Sequence, residues 1–184
     1  LAREIVTELG LERAGAVAEL GPGTGPFTRA LLEILPPACR LVVVERDPQL
    51  HAGLAAKFPQ VKIHCRCASA LPDILREEHL PPLDAVISGL PWAAFPAALQ
   101  QKLLDAILAS LRPGGAFATF AYLQGVMLPA GWRFRRLLRE RFCEVRRSPV
   151  VWRNLPPAFV YRCRTATPAT PDRYTSGPGR TVTG

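Results

Sequence analysis

The chain has 184 residues, 48% hydrophobic and 21% charged, with a formal net charge of +8. That length suits one domain with a sizeable core, and no apolar run reaches the roughly 18–20 residues that cross a bilayer. No signal peptide is visible, and three scattered histidines and five cysteines without paired CxxC spacing argue against a metal and for reduced thiols in a cytoplasmic protein.

Leu1–Leu9 predicts a helix. The chain opens at Leu1 rather than Met, so an N-terminus further upstream is expected. Ala16–Leu20 reads as a short buried strand and Thr28–Leu35 as a helix. Arg40–Glu45 is an apolar β-branched strand, and Pro48–Phe58 a helix with proline in its first turn. A strand over 61–65 is followed by a short helix near Ala70–Arg76. Leu83–Ser88 is a further strand. The helix Phe95–Leu111 is stopped by "RPGG", and a strand follows over 116–123. Trp132–Phe142 reads as a basic amphipathic helix, and "EVRRSPVVW" with "AFVYRCR" as a closing pair of strands. Strands alternating with helices predict an α/β chain whose mostly parallel sheet is covered on both faces, with one antiparallel strand near the C-terminus. From Thr165 the chain turns to Pro, Thr, Ser and Gly without apolar periodicity. Residues 1–164 are therefore expected to form the domain and 165–184 a disordered tail.

The first strand runs into "ELGPGTG". Gly21, Gly23 and Gly25 allow a sharp turn and a close approach of bare backbone to a ligand. The spacing is GxGxG rather than the dinucleotide GxGxxG, and no P-loop lysine is present. Glu45 ends the second strand, where a carboxylate can accept hydrogen bonds from both hydroxyls of a ribose. An adenosine with a small cationic tail suits this set better than a pyrophosphate. A tight turn with no ligand is the plainer alternative.

Over residues 16–125 this order of elements resembles the class I S-adenosylmethionine-dependent methyltransferases, a Rossmann-like seven-stranded fold. The resemblance implies S-adenosyl-L-methionine as cofactor, with Glu19, Gly21, Gly23 and Gly25 in the methionine-binding loop and Glu45 on the ribose. Cys67 stands where that family usually has an aspartate. The backbone N–H of Ala68 stands where adenine is met. Arg46, beside Glu45, and Ser88, ending the fourth strand, complete the expected cofactor set.

"SGLPWAAFP" follows the fourth strand, where amine methylators of the same fold carry an N/D-P-P-[YFW]-like motif. There Gly89, Leu90, Pro91 and Trp92 are expected to aim a nitrogen lone pair, with carbonyls accepting its N–H groups and an aromatic face above it. Rate then comes mainly from positioning. Tyr122, at the end of the fifth strand, is expected to bond the headgroup or assist proton loss. Adenine N6-dimethylating rRNA methyltransferases carry N-L-P-Y here, and Gly89 lacks their side-chain acceptor. "ELGPGTG", "SGLPW", "LRPGGAFATFAY" and "RNLPPAFVYR" together resemble the bacterial phospholipid N-methyltransferases, which act on phosphatidylethanolamine. That resemblance implies lipid N-methylation and a membrane-binding helix upstream. A nucleic-acid adenine methyltransferase, or a non-catalytic RNA- or membrane-binding module of the same fold, are the alternatives.

Arginine outnumbers lysine 20 to 3, and eight arginines against two glutamates fall between Arg133 and Arg153. Arginine's planar fork suits phosphate. Arg153 is a candidate for a headgroup phosphate. The stripe Phe134, Leu137, Leu138 and Phe142, ringed by arginines, either meets an anionic membrane surface from the cytoplasmic side or packs in the core beneath a solvated basic face.

Overall fold

The computed structural model describes residues 1–167, so all but the first three residues of the tail expected over 165–184 lie outside the described residues. Seven strands form one sheet: β1 (Ala16–Leu20), β2 (Arg40–Glu45), β3 (Lys62–Cys65), β4 (Leu83–Ser88), β5 (Leu111–Tyr122), β6 (Glu144–Arg147) and β7 (Ala158–Arg164). Their order is β3-β2-β1-β4-β5-β7-β6. β1 to β5 pair in parallel, and β7 runs antiparallel between β5 and β6. This is the expected Rossmann-like sheet with its single reversed strand.

Helices cover both faces, because the central strands are apolar on both sides. The helices are α1 (Ala2–Ile5), α2 (Pro26–Ile34), α3 (Pro48–Lys57), α4 (Leu71–Glu77), α5 (Ala97–Ser110), α6 (Leu123–Val126) and α7 (Pro129–Arg141). One core joins Ile5, Phe27 and Leu31 to Val17, Ile87 and Val160. The other joins Ile74, Leu104, Ile107 and Leu138 to Leu20, Val86 and Phe117. Helix starts follow local chemistry: Asp47 accepts hydrogen bonds from the N–H groups of Gln49 (2.8 Å) and Leu50 (3.0 Å), with Pro48 at the first helical position.

Three expectations change. The helix expected over Leu1–Leu9 is only α1, since Glu8 (φ 60°) and Gly10 (φ 76°) take left-handed backbone. The strand expected over Glu144–Trp152 stops at Arg147, and only Val151 bridges back, to Ala158. The stripe of α7 is core: Phe134 and Leu138 are buried, and Phe142 stacks on Phe117 at 5.7 Å. It is therefore not available to a membrane.

The expected tail begins inside ordered structure, where the Thr165 N–H donates to Gly115 O and the Gly114 N–H to Ala166 O. The N-terminal segment is clasped to β7. Arg162, 7% exposed, donates to the Thr7 and Glu4 carbonyls at 2.9 and 2.8 Å and pairs with the Glu4 carboxylate at 2.7 Å.

Candidate active site

The glycine loop lies at the C-terminal ends of the parallel strands, the usual ligand side of such sheets. Gly21, Gly23 and Gly25 have φ of 66°, 59° and 86°, backbone that strains any residue with a Cβ. The Gly21 N–H donates to Val44 O (2.9 Å), tying the loop to β2. A Cβ at Gly23 would meet open space, so its bare backbone faces a cleft rather than packing.

Two carboxylates support this loop. Glu45 is buried. It accepts the Gly23 N–H at 3.3 Å on one oxygen and the Asp47 N–H at 3.0 Å on the other. Glu19 is fully buried beneath the loop. The Thr28 hydroxyl donates to its Oε2 at 2.6 Å, and its Oε1 has no partner among the described residues. Burial pushes the Glu19 carboxyl up to about 7; the Thr28 hydrogen bonds oppose this and Glu45 adds to it.

Beside the loop, Gly21, Glu45, Arg46, Cys67, Ala68 and Leu90 line a cleft of about 210 Å³. Burial alone would raise the Cys67 thiol. Hydrogen bonds from Ser69 and the nearby Arg46 and Lys102 outweigh it and hold the thiol below its usual range. A second cleft runs along Gly21, Gly23, Gly89, Phe120, Tyr122 and Asn154. A third cavity, of about 240 Å³, is lined almost wholly by apolar groups from Leu90, Pro91, Trp92, Val126, Phe134 and Tyr161. Leu90 and Pro91 wall both the first cleft and the apolar cavity, and Tyr122 lines both the second cleft and the cavity. The turn after β4 thus stands where three spaces meet.

Close packing dictates Gly89. Its N–H donates to Leu20 O (2.8 Å), and a Cβ there would lie 2.3 Å from Gly21 O. No side chain fits at this position while the glycine loop keeps its place. The Gly89 carbonyl has no donor among the described residues.

Ser88 and Trp92 are turned inward. The Ser88 hydroxyl accepts the Trp92 Nε1–H at 3.1 Å and the Leu90 N–H at 3.3 Å, and its carbonyl accepts the Thr119 hydroxyl at 3.0 Å. Ser88 lines none of these clefts and serves the turn instead. Trp92 is 2% exposed and stacks on Phe134 at 4.4 Å, so one ring face is already covered. Arg153 is exposed on the connection from β6 to β7 and lines none of the clefts.

Phe120, Asn154 and Tyr161 also stand at the site, although no motif in the sequence assigns them a role there. Asn154 opens the "NLPPA" stretch, the one signal that marks this region. Among the described residues, no three His, Cys, Asp or Glu side chains converge as metal ligands.

Residues 17–115 match the family described as a methyltransferase domain. An ornithine lipid N-methyltransferase from Singulisphaera acidiphila is 36% identical over 172 residues, covering 89% of this chain and 83% of that protein. A dimethyladenosine transferase from Chaetomium thermophilum is 31% identical over 88 residues, 48% of this chain but only 22% of that protein. Among solved structures, an O-methyltransferase from Bacillus cereus in complex with SAH has a TM-score of 0.70 at 15% identity, covering 89% of this chain and 80% of that one. The O-methyltransferase TomG from Streptomyces achromogenes, in complex with SAM, has a TM-score of 0.67 at 22% identity, covering 90% and 79%. The chain belongs to the class I S-adenosylmethionine-dependent methyltransferases.

Proposed function

We propose that this methyltransferase acts on the amine of a lipid headgroup. The observation that carries the reading is the apolar cavity meeting the glycine-loop cleft at Leu90 and Pro91. A hydrocarbon chain gains by entering such a lining, whereas a nucleic-acid strand needs cations along its backbone. The Singulisphaera relative, named for an ornithine lipid, matches along most of both chains. Gly89 has no space for the side-chain acceptor of an adenine site, which also favours a flexible amine.

The residues around the glycine loop fit S-adenosylmethionine. Glu45 carries lone pairs beyond its two backbone bonds for a ribose diol. Glu19 keeps an unpartnered oxygen beneath the loop. Arg46, Cys67 and Ala68 line the same cleft and would meet the adenine end. When bound, this cofactor supplies a methyl group already activated on a sulfonium. The protein's task is then orientation. The Gly89 carbonyl, which no backbone N–H among the described residues reaches, and the Tyr122 hydroxyl, on a residue lining both the second cleft and the cavity, hold the acceptor amine and accept hydrogen bonds from its N–H groups. Pro91 stiffens the turn that aims them.

Glu45→Ala should weaken cofactor binding by about 1.5–3 kcal/mol, the scale of hydrogen bonds to a charged group. Calorimetry checks this, and unchanged affinity would remove Glu45 from the ribose. The function itself is tested by transfer of labelled methyl to dispersed phosphatidylethanolamine, to ornithine lipid and to unmodified rRNA. Phosphatidylethanolamine is the acceptor that the motif resemblance implies. Incorporation into either lipid supports the reading, the better acceptor naming the headgroup. Incorporation into rRNA alone overturns it.

A further inference from the structure

Five large apolar side chains are more than half exposed among the described residues: Met127 (83%), Leu128 (51%), Trp132 (70%), Trp152 (70%) and Leu155 (90%). Single exposed apolar residues are ordinary, but a cluster marks an interaction surface. These five occupy only two segments, the junction of α6 with α7 and the connection from β6 to β7.

The two segments leave the sheet together. Tyr122 pairs with Ala158 across β5 and β7, and the next residue, Leu123, donates its N–H to Pro157 O at 3.0 Å. Both segments also reach the site. Leu128 lines the apolar cavity, and Asn154, between Trp152 and Leu155, lines the cleft of Gly89 and Tyr122. The exposed side chains therefore rim the mouth of the site.

Charge indicates what covers this rim. Each exposed tryptophan is followed directly by an exposed arginine, Arg133 and Arg153, and neither has an acidic partner among the described residues. Of the eight arginines between Arg133 and Arg153 only three pair with carboxylates among the described residues, Arg136 with Glu140, Arg141 with Asp105 and Arg146 with Glu144, so the region around the rim keeps a positive surplus. Water-exposed indoles on segments that also carry unpaired guanidinium groups suit the boundary layer of an anionic bilayer, where rings sit among headgroups and cations meet their phosphates.

We infer that the rim formed by Met127, Leu128, Trp132, Trp152 and Leu155 inserts into the interfacial layer of an anionic membrane, so that the site opens directly onto lipid. The inference rests on the lipid-amine reading and names the surface that serves it. It relocates membrane contact from the buried stripe of α7 to the side chains that α7 and its neighbours leave in water.

The test uses the full chain and vesicles of phosphatidylglycerol or phosphatidylcholine. Trp92 is already buried, so a shift of tryptophan emission to shorter wavelength reports Trp132 and Trp152. With phosphatidylglycerol their emission shifts to shorter wavelength and is quenched by brominated acyl chains; with phosphatidylcholine the response is weaker. Replacing Met127, Trp132 and Leu155 together with serine weakens vesicle binding by more than about tenfold, because three apolar side chains no longer leave water. The thermal midpoint and transfer to detergent-dispersed lipid stay unchanged. Arg133→Glu with Arg153→Glu weakens binding to phosphatidylglycerol but not to phosphatidylcholine. An absent shift and quench at low salt, or full binding by the serine variant, overturns the inference. So does a doubling of mass that the serine variant abolishes, which assigns the rim to a second copy of the chain. If the rim binds vesicles but no lipid amine is methylated, the proposed function falls and the membrane contact stands. If dispersed lipid is methylated but vesicles are not bound, the membrane contact falls and the proposed function stands.

Discussion

Trp92→Ala is expected to destabilise the protein by about 3–5 kcal/mol, the usual cost of removing a buried tryptophan. The indole is 2% exposed, stacks on Phe134 and meets Phe95 and Phe117 edge-on at 6.2 and 6.0 Å. It also borders the apolar cavity, so truncation would enlarge a space that already exists. The Nε1–H bond to Ser88 separates two contributions. Trp92→Phe keeps the ring contacts and loses the bond, and should cost about 0.5–1.5 kcal/mol. Denaturant unfolding of both variants checks the order. A loss under about 1 kcal/mol for the alanine variant, small on the scale of core truncations, with a large fall in kcat would return Trp92 to the acceptor side.

A second large effect is a pH dependence centred on Glu19. Its folded pKa of about 7 lies above the ordinary value of 4.5, chiefly because of burial. Between those two values the folded state holds a proton that the unfolded chain has released. Stability from this group is full below about 4.5 and is lost as pH rises through about 7. Each pH unit between them is worth about 1.4 kcal/mol, so the total is on the order of 3 kcal/mol. Unfolding of wild type and Glu19→Gln should therefore be compared at acid and slightly alkaline pH. The wild type should lose stability relative to the variant on going alkaline. Parallel curves would mean that Glu19 is ionised throughout, or that its oxygen is solvated.

Much of this architecture is readable from local pattern. Val42–Val44 and Val86–Ile87 are apolar on both faces, as a covered parallel strand requires. Glu45 stands one strand away from the glycines, at the end of β2, where it accepts the Gly23 N–H. Other features depend on tertiary contacts that periodicity does not encode. The stripe of α7 has the same spacing whether it faces lipid or Phe117. The inward turn of Trp92 depends on Ser88 and on Phe134, which lies far along the chain. The arrest of α1 depends on left-handed backbone at Glu8, a residue type that carries no such signal. The exposed rim has no local signature either, because its two segments lie far apart in the chain and leave the sheet together only through the pairing of β5 with β7.

The placement of β7 has a consequence for biosynthesis. Among the described residues it is the last strand in chain order, yet it lies between β5 and β6, and its Arg162 clasps the Glu4–Thr7 segment. While the chain emerges from the ribosome, β5 presents an open edge, and the Glu4–Thr7 segment lacks the guanidinium that fixes it. Unpaired edges of this kind invite pairing with other chains. The sheet closes only when the residues around 158–164 arrive, so a nascent chain stalled before that point is the species most in need of a chaperone.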